Sequence, residues 1–204
     1  MVRRTRADME QTRATLLETA RQVFSERGYG ETSMDDLTAQ ANLTRGALYH
    51  HFGDKKGLLA AVIAQIDAEM DARLHAISDT ASDPWEGFRN RCRAYLEMAR
   101  EPEIQRIVLR DGRAVLGAPT PQAQLHCVAS LRSMLEQLMA QGVVAQANPQ
   151  ALASLICGGL AETAFWIAED EGQGQRLEQA LDAMELMLKG CATPAEKPRR
   201  RTIL

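Results

Sequence analysis

Apolar residues recur every three or four positions along most of the chain, which is the spacing that places them on one face of an α-helix. The first such face ends before Gly28 and consists of Leu16, Leu17, Ala20, Val23 and Phe24. A longer face follows Asp54 and consists of Leu59, Val62, Ile63, Ile66, Met70, Leu74 and Ile77. No strong strand alternation interrupts this pattern. The sequence therefore predicts an all-α fold of about nine helices joined by short loops.

Three later helices are predicted to begin with a capping residue followed by proline at the first helical position: Asp83-Pro84, Thr120-Pro121 and Asn148-Pro149. Two further helices are expected over about 102–115 and about 174–189. Together with the long helix after Asp54, these elements predict a helical bundle in the second part of the chain.

Two short helices near residue 40 predict a helix-turn-helix. Ser33 and Thr44 cap them, and they meet at Ala41-Asn42-Leu43, where Asn tolerates a positive φ. Leu37, Leu43, Leu48 and Phe52 can pack inward. The outer side of the second helix then carries Thr44, Arg45, Tyr49 and His50. Hydrogen-bonding groups on such a helix suit the major groove of DNA, although a structural hairpin inside a bundle would share the same local signals.

Composition and charge limit the class of protein. The chain has 204 residues, of which 45% are hydrophobic, 25% charged and only 4% aromatic, a mix that favours a globular helical protein. The net charge is −3, yet Arg3, Arg4 and Arg6 form a basic arm and Lys197 to Arg201 a basic tail. No uninterrupted apolar run predicts a membrane span, and no apolar segment follows the basic start, so a cytoplasmic protein is expected.

The cysteines predict neither a metal site nor a redox motif. Cys92, Cys127, Cys157 and Cys191 lie at least 30 residues apart, which favours reduced thiols that are mostly buried. His126 precedes Cys127, but no oriented base or third partner can be named from the sequence. We therefore expect no cofactor, no metal and no enzymatic activity.

The helix after Pro149 is apolar on nearly all sides, which predicts burial on nearly all sides. We expect one face in the core of the protomer and another against a second copy, with the last helix as its companion. The predicted interface residues are Leu152, Leu155, Ile156, Gly159, Ala164, Leu181, Met184 and Leu188. The alternative is that both helices only fill the core of the monomer.

A pocket for a mostly apolar small molecule is predicted beside the helix from Pro84. Its expected lining consists of Trp85, Phe88, Cys92 and Tyr95 on one side, with His126 and Trp166 opposite. Each of these residues could equally be ordinary core.

Four segments of the N-terminal part form a specific pattern: FSERGY (24–29), TSMDDL (32–37), RGALYHHF (45–52) and DKKGLL (54–59). With these segments, about residues 13–59 resemble the TetR family of bacterial transcriptional regulators. The resemblance implies that Arg45 and Ala47 contact base edges and that Tyr49 and His50 contact bases or the DNA backbone. It also implies phosphate contacts from four more residues: Thr32, Ser33, His51 and Lys55.

Two residues depart from the family pattern. Asn42 replaces the glycine that is usual in the turn, which is a tolerable change. Asp35 lies where some relatives carry a basic residue that contacts bases, and we expect it to cap its helix instead.

The expected domains are a DNA-binding domain at 1–53 with a flexible basic arm at 1–8, a ligand-binding and dimerisation domain at 54–190, and a basic, disordered tail at 191–204. The resemblance implies a homodimeric regulator, most often a repressor, that binds a palindromic operator on double-stranded DNA and is released by a small molecule. The alternative function is a DNA-bound structural or cell-division protein without an effector.

Overall fold

A computed structural model describes residues 5–117, 121–170 and 174–193, and for residues 121–126 it describes the backbone only. The regular elements of the described part are helices, and the first five are α1 (Arg6–Arg27), α2 (Met34–Gln40), α3 (Arg45–Phe52), α4 (Lys55–Asp79) and α5 (Pro84–Met98). They are followed by the π-helix π1 (Ile104–Gly112) and then by α6 (Arg113–Leu116), α7 (Pro121–Ala140), α8 (Pro149–Ala168) and α9 (Gln175–Cys191). The all-α prediction is confirmed.

Helix α1 begins earlier than the sequence suggested. The side chain of Thr5 accepts a hydrogen bond from the backbone N–H of Asp8, and the Asp8 carboxylate accepts one from the backbone N–H of Thr5. This reciprocal capping box satisfies two donors at the helix start. The prediction of a flexible arm is therefore wrong for residues 6–8, which are helical. Arg3 and Arg4 lie outside the described residues.

Helices α1, α2 and α3 form a small unit around a shared apolar centre. Leu16, Phe24, Leu37 and Leu48 are at most 1% exposed. Leu58 and Leu59 of α4 are fully buried in the same core. Helix α4 therefore connects the DNA-binding unit to the bundle both covalently and through apolar packing.

The remaining helices form a bundle in which α4 packs on α5, α7 on α8, and α5 on both α8 and α9. The end of the bundle is closed by a short antiparallel bridge between Val144 and Ala192, with a hydrogen bond from the backbone N–H of Ala145 to the Cys191 carbonyl. Residues 194–204, which include the predicted basic tail, lie outside the described residues.

The helix predicted over 102–115 is π-helical from Ile104 to Gly112 and becomes α-helical only at Arg113. Side chains of this segment reach both neighbouring parts of the fold. Arg106 donates to the Arg27 carbonyl (Nη2–O 2.7 Å), while Arg110 donates to the Ala168 carbonyl (Nη2–O 3.1 Å). The segment therefore lies between the DNA-binding unit and α8, and π-helical turns are frequent where a helix serves a function.

Helix α8 has the most apolar composition in the described chain. By length and composition alone, it is long and apolar enough to cross a membrane. One third of its most apolar 18-residue window is buried inside the protomer. Ala153, Ile156, Leu160 and Ala164 point into the bundle. The apolar character that the sequence showed is thus explained in part by the protomer's own core.

Candidate DNA-binding surface

The helix-turn-helix forms from α2, a short turn and α3. Asn42 has φ 53°, which confirms that the turn needs the left-handed region. Thr44 caps α3 by accepting from the backbone N–H of Ala47, at a distance of 3.2 Å between N and Oγ1. Leu37 and Leu48 are buried, as predicted, so that the opposite side of α3 faces outward.

Three polar side chains occupy the outward side of α3. Arg45 and His50 are exposed, and Tyr49 is 45% exposed. The Arg45 guanidinium lies over the Tyr49 ring, 5.8 Å from its centroid. Hydrogen bonding to Tyr49 is the main cause that raises the pKa of Arg45, and the charge of Asp35 raises it further. The tyrosine ring therefore supports the arginine that the family resemblance assigns to base contact.

Asp35 forms an ion pair with this arginine and does not cap its helix. The Oδ1 atom of Asp35 lies 3.2 Å from Nη1 of Arg45, with both side chains mostly exposed. The cap is made by Ser33 and Asp36, because the Ser33 hydroxyl accepts from the Asp36 backbone N–H and donates to the Asp36 carboxylate. Hydrogen bonding to Ser33 lowers the pKa of Asp36. The prediction that Asp35 is a cap is wrong.

Two residues predicted to contact DNA are buried. Thr32 is 3% exposed, and its hydroxyl donates to the Gly28 carbonyl at 2.7 Å. Ala47 is 8% exposed. The Thr32 side chain does not reach the outer surface, whereas Ala47 lines an open groove between α1 and α3. The DNA contacts expected of these two residues stay predictions. Ser33, by contrast, is exposed at the start of α2.

A groove of about 360 Å³ separates the start of α1 from the outer side of α3. Met9 and Thr12 line one wall, while Thr44, His50 and His51 line the other. The sequence did not predict the α1 wall because the helical pattern was recognised only from Leu16 onward. The Thr5-x-x-Asp8 spacing was the signal that could have placed the helix start correctly.

Lys55 lies at the beginning of α4, beside this surface. Its Nζ atom is 4.1 Å from the centroid of the Tyr29 ring, and partial burial lowers the pKa of Lys55. Its neighbour Lys56 is exposed. Lys55 is therefore held by an aromatic contact, while remaining close to the helix-turn-helix.

The residues predicted to line a ligand pocket do not all meet. Phe88 and Cys92 are at most 1% exposed, and Trp85 stacks on Phe88 with 5.9 Å between ring centroids. Trp166 is 41% exposed on α8 beneath the Arg176 guanidinium, so its predicted place inside the pocket is wrong. The side chain of His126 lies outside the described residues.

Half-buried Tyr95 has polar neighbours that the sequence did not connect with it. Burial raises the pKa of Tyr95, and the charges of Cys127, Asp67 and Cys157 raise it further. Burial also raises the pKa of Asp67 to about 6. The helices α4, α5, α7 and α8 thus bring a phenol, a carboxyl and two thiols to one region of the bundle interior.

Half of the predicted interface residues lie in the protomer's own core. Ile156, Ala164, Met184 and Leu188 are at most 4% exposed, and the prediction of an interface role is wrong for them because no surface remains to meet a partner. Leu155 is 73% exposed and Gly159 is also exposed, whereas Leu152 and Leu181 are half-buried. Two exposed apolar residues of α9 were not predicted, Leu186 (74%) and Met187 (41%).

The short capped helices, the left-handed turn and the outward polar side of α3 define a helix-turn-helix DNA-binding protein. The family model described as "Bacterial regulatory proteins, tetR family" matches residues 16–62. The model described as "Tetracyclin repressor-like, C-terminal domain" matches residues 85–191, which is more than half of the chain. The chain belongs to the TetR family of transcriptional regulators, a family that is not enzymatic.

Individual proteins agree with this assignment. A crystal structure of a TetR-family transcriptional regulator from Pectobacterium atrosepticum is 72% identical, with a TM-score of 0.89, over 96% of this chain and 100% of that one. The transcriptional regulator TtgR of Pseudomonas putida is 38% identical over 71 residues, 35% of this chain and 34% of TtgR. The probable acrEF/envCD operon repressor of Escherichia coli K12 is 26% identical over 160 residues, 76% of this chain and 66% of that protein.

Proposed function

We propose that the protein is a transcriptional repressor that binds a palindromic operator as a homodimer and is released by a small molecule. The observation that carries the proposal is the outward side of α3, where Arg45, Tyr49 and His50 are exposed together on a capped, rigid helix. The similarity to a probable operon repressor supports repression rather than activation.

The polar side chains of α3 have distinct expected roles on DNA. Arg45 reads a base edge, because a guanidinium can donate two hydrogen bonds to guanine in the major groove. Tyr49 and His50 contact bases or phosphates, whereas Ser33, Thr44, His51 and Lys55 position the helix through the sugar-phosphate backbone. The groove between α1 and α3 offers space for one DNA strand beside the inserted helix.

The exposed apolar residues of α8 and α9 support dimerisation through these two helices. Leu155 and Leu186 are each more than 70% exposed, an unusual state for leucines on neighbouring helices. An added Cβ at Gly158 or Gly159 meets no atom within 4 Å, so this part of α8 is open for a partner helix to approach. A twofold pair of reading helices about 34–36 Å apart then matches successive turns of the major groove.

The effector is proposed to bind beside α5, near Trp85, Phe88, Cys92 and Tyr95. Apolar groups dominate this region, while Tyr95 and Asp67 offer polar anchors for a mostly apolar molecule. The protein is proposed to have two arrangements of α4, the helix that follows α3 in the chain. The effector shifts the equilibrium between them only as far as its affinities for the two arrangements differ.

Selection from random duplexes tests the proposal. The purified protein should enrich an inverted repeat, bind it as one dimer and protect both half-sites from cleavage. A single promoter with a strong site would support the repressor function. Scattered sites across the chromosome with no response to any small molecule would support a structural DNA-binding protein instead.

A further inference from the structure

Two cysteines that are 30 residues apart in the sequence meet between α7 and α8. The Sγ atoms of Cys127 and Cys157 lie 2.7 Å apart, and both residues are half-buried. Neither side chain is sealed in the core, unlike Cys92, which is 1% exposed. The pair therefore has the proximity that disulfide formation needs and partial access for a small reagent.

The surroundings of the pair distinguish its two sulfur atoms. The hydrogen bond between the two thiols and the charge of Arg91 lower the pKa of Cys127, whereas the same hydrogen bond and burial raise the pKa of Cys157. Arg91 is itself 4% exposed, and its Nη2 donates to Asp71 at 2.8 Å. Its Nη1 is buried without a hydrogen-bond partner among the described residues. A buried cation next to a thiol pair favours one thiolate.

We propose that Cys127 and Cys157 form an oxidisable dithiol site that reacts with hydroperoxides and closes to a reversible disulfide within the protomer. The Cys127 thiolate attacks one peroxide oxygen, the O–O bond breaks, and the departing oxygen takes up a proton and leaves as water or an alcohol. Cys127 is then a sulfenic acid. Cys157 next attacks this sulfur, the S–S bond forms, the S–O bond breaks, and the hydroxyl leaves as water with the Cys157 proton. Two thiols lose two electrons and two protons, and the peroxide accepts them.

The other two cysteines supply internal controls. Burial raises the pKa of Cys92 to about 12, so it should stay a thiol. Cys191 lies at the end of α9, and burial raises its pKa as well. Oxidation of the folded, full-length protein should therefore remove two of the four thiols and no more.

The test treats the reduced protein with hydrogen peroxide or cumene hydroperoxide and maps thiols by differential alkylation and peptide mass. The expected product is a disulfide-linked peptide pair that contains Cys127 and Cys157. The oxidised protein should migrate as a single chain in denaturing gel electrophoresis without reductant and regain all thiols with dithiothreitol. A disulfide between two chains, a link that involves Cys92 or Cys191, or oxidation of Cys191 before the pair would overturn the proposal.

Variants test the order of the two steps. In Cys157→Ser, the Cys127 sulfenic acid should persist and be trapped by a cyclic 1,3-diketone, whereas Cys127→Ser should give no trapped product at Cys157. Cys191→Ser should form the disulfide at the wild-type rate. Equal trapping in both serine variants would contradict the assignment of Cys127 as the attacking thiol.

Arg91 is assigned as a positioning residue for this thiolate, and the pH profile of oxidation tests it. Arg91→Gln should move the rise in rate to higher pH and slow the reaction several-fold near neutrality, because the positive charge is lost. Arg91→Lys keeps a positive charge and should restore most of the rate. An unchanged profile in Arg91→Gln, with the fold verified by circular dichroism, would remove Arg91 from the proposal.

Discussion

The carboxylate of Asp111 accepts a hydrogen bond from the backbone N–H of Tyr29, with 2.7 Å between Oδ2 and N. It joins the π-helical segment to the turn after α1, and Arg106 adds a second link to the Arg27 carbonyl. The bundle therefore holds the DNA-binding unit through directed hydrogen bonds as well as through apolar packing. Through this contact, a conformational change in the bundle can alter the position of the DNA-binding unit.

Asp111→Ala tests the strength of this link. Removing the acceptor leaves a partly buried N–H unsatisfied, so the free energy of unfolding should fall by about 1–3 kcal/mol in urea denaturation. Asp182→Ala, on an exposed position of α9, serves as the matched control and should change it by less than about 0.5 kcal/mol. Equal stabilities for the two variants would show that the link contributes little.

Asn42 allows a test of the turn in the helix-turn-helix. Its φ of 53° strains an alanine, so Asn42→Ala should lower the free energy of unfolding by about 1–2 kcal/mol. Asn42→Gly should leave it within about 0.5 kcal/mol of the wild type, because glycine adopts this conformation without a Cβ clash. Thermal or urea unfolding measures both. A larger loss in the glycine variant would show that the asparagine side chain, rather than φ, matters.

Asp35 places a negative charge within 3.2 Å of the arginine that we expect to read DNA. Asp35→Asn should raise affinity for any duplex several-fold at low salt, since repulsion of phosphates is removed. Stability should hardly change, because exposed ion pairs contribute at most about 1 kcal/mol. Fluorescence anisotropy at several salt concentrations measures the effect. Weaker operator binding would instead mean that Asp35 orients Arg45 in the complex.

Asp67 predicts a pH dependence of stability. Its native pKa of about 6 lies above the ordinary value of 3.8, so the folded state binds more protons between these two values. The free energy of unfolding should therefore fall as pH rises from about 4 to 6, by up to about 3 kcal/mol, and this contribution should be constant above pH 7. Asp67→Asn should remove this slope and stabilise the protein at pH 7. A slope that persists in the variant would assign it to other groups.

Self-association through α8 and α9 can be tested by placing charge on the exposed leucines. Leu155→Glu and Leu186→Glu should each raise the dimer dissociation constant at least about tenfold, because a buried charge would meet an apolar partner. Ala68→Glu, exposed on α4, adds the same charge away from these helices and should leave association unchanged. Sedimentation equilibrium provides the measurement. Unchanged association in both leucine variants would require another interface.

The sequence predicted where the helices lie along the chain better than it predicted which helix faces pack together. Periodicity and capping residues located α1 to α5, and Asn42 marked the turn, because these signals are local. The π-helix was missed since nine residues of amphipathic pattern do not distinguish it from an α-helix. An apolar helix also does not reveal which side faces its own core, which is why Ile156 and Met184 were assigned to the interface. Cys127 and Cys157 are brought together by the tertiary packing of α7 and α8, which no local sequence pattern predicts.

Binding of Arg45→Ala to a selected inverted repeat tests the central claim most directly. Wild type and variant are compared on that operator and on duplexes with each base pair of one half-site changed. The account predicts a loss of about 1–3 kcal/mol on the operator and relaxed preference at one symmetric position. Lys56→Ala, which alters an exposed charge nearby, should not relax that preference. Unchanged operator affinity for Arg45→Ala, or a wild-type protein that binds random duplexes as tightly as any inverted repeat, would contradict the account.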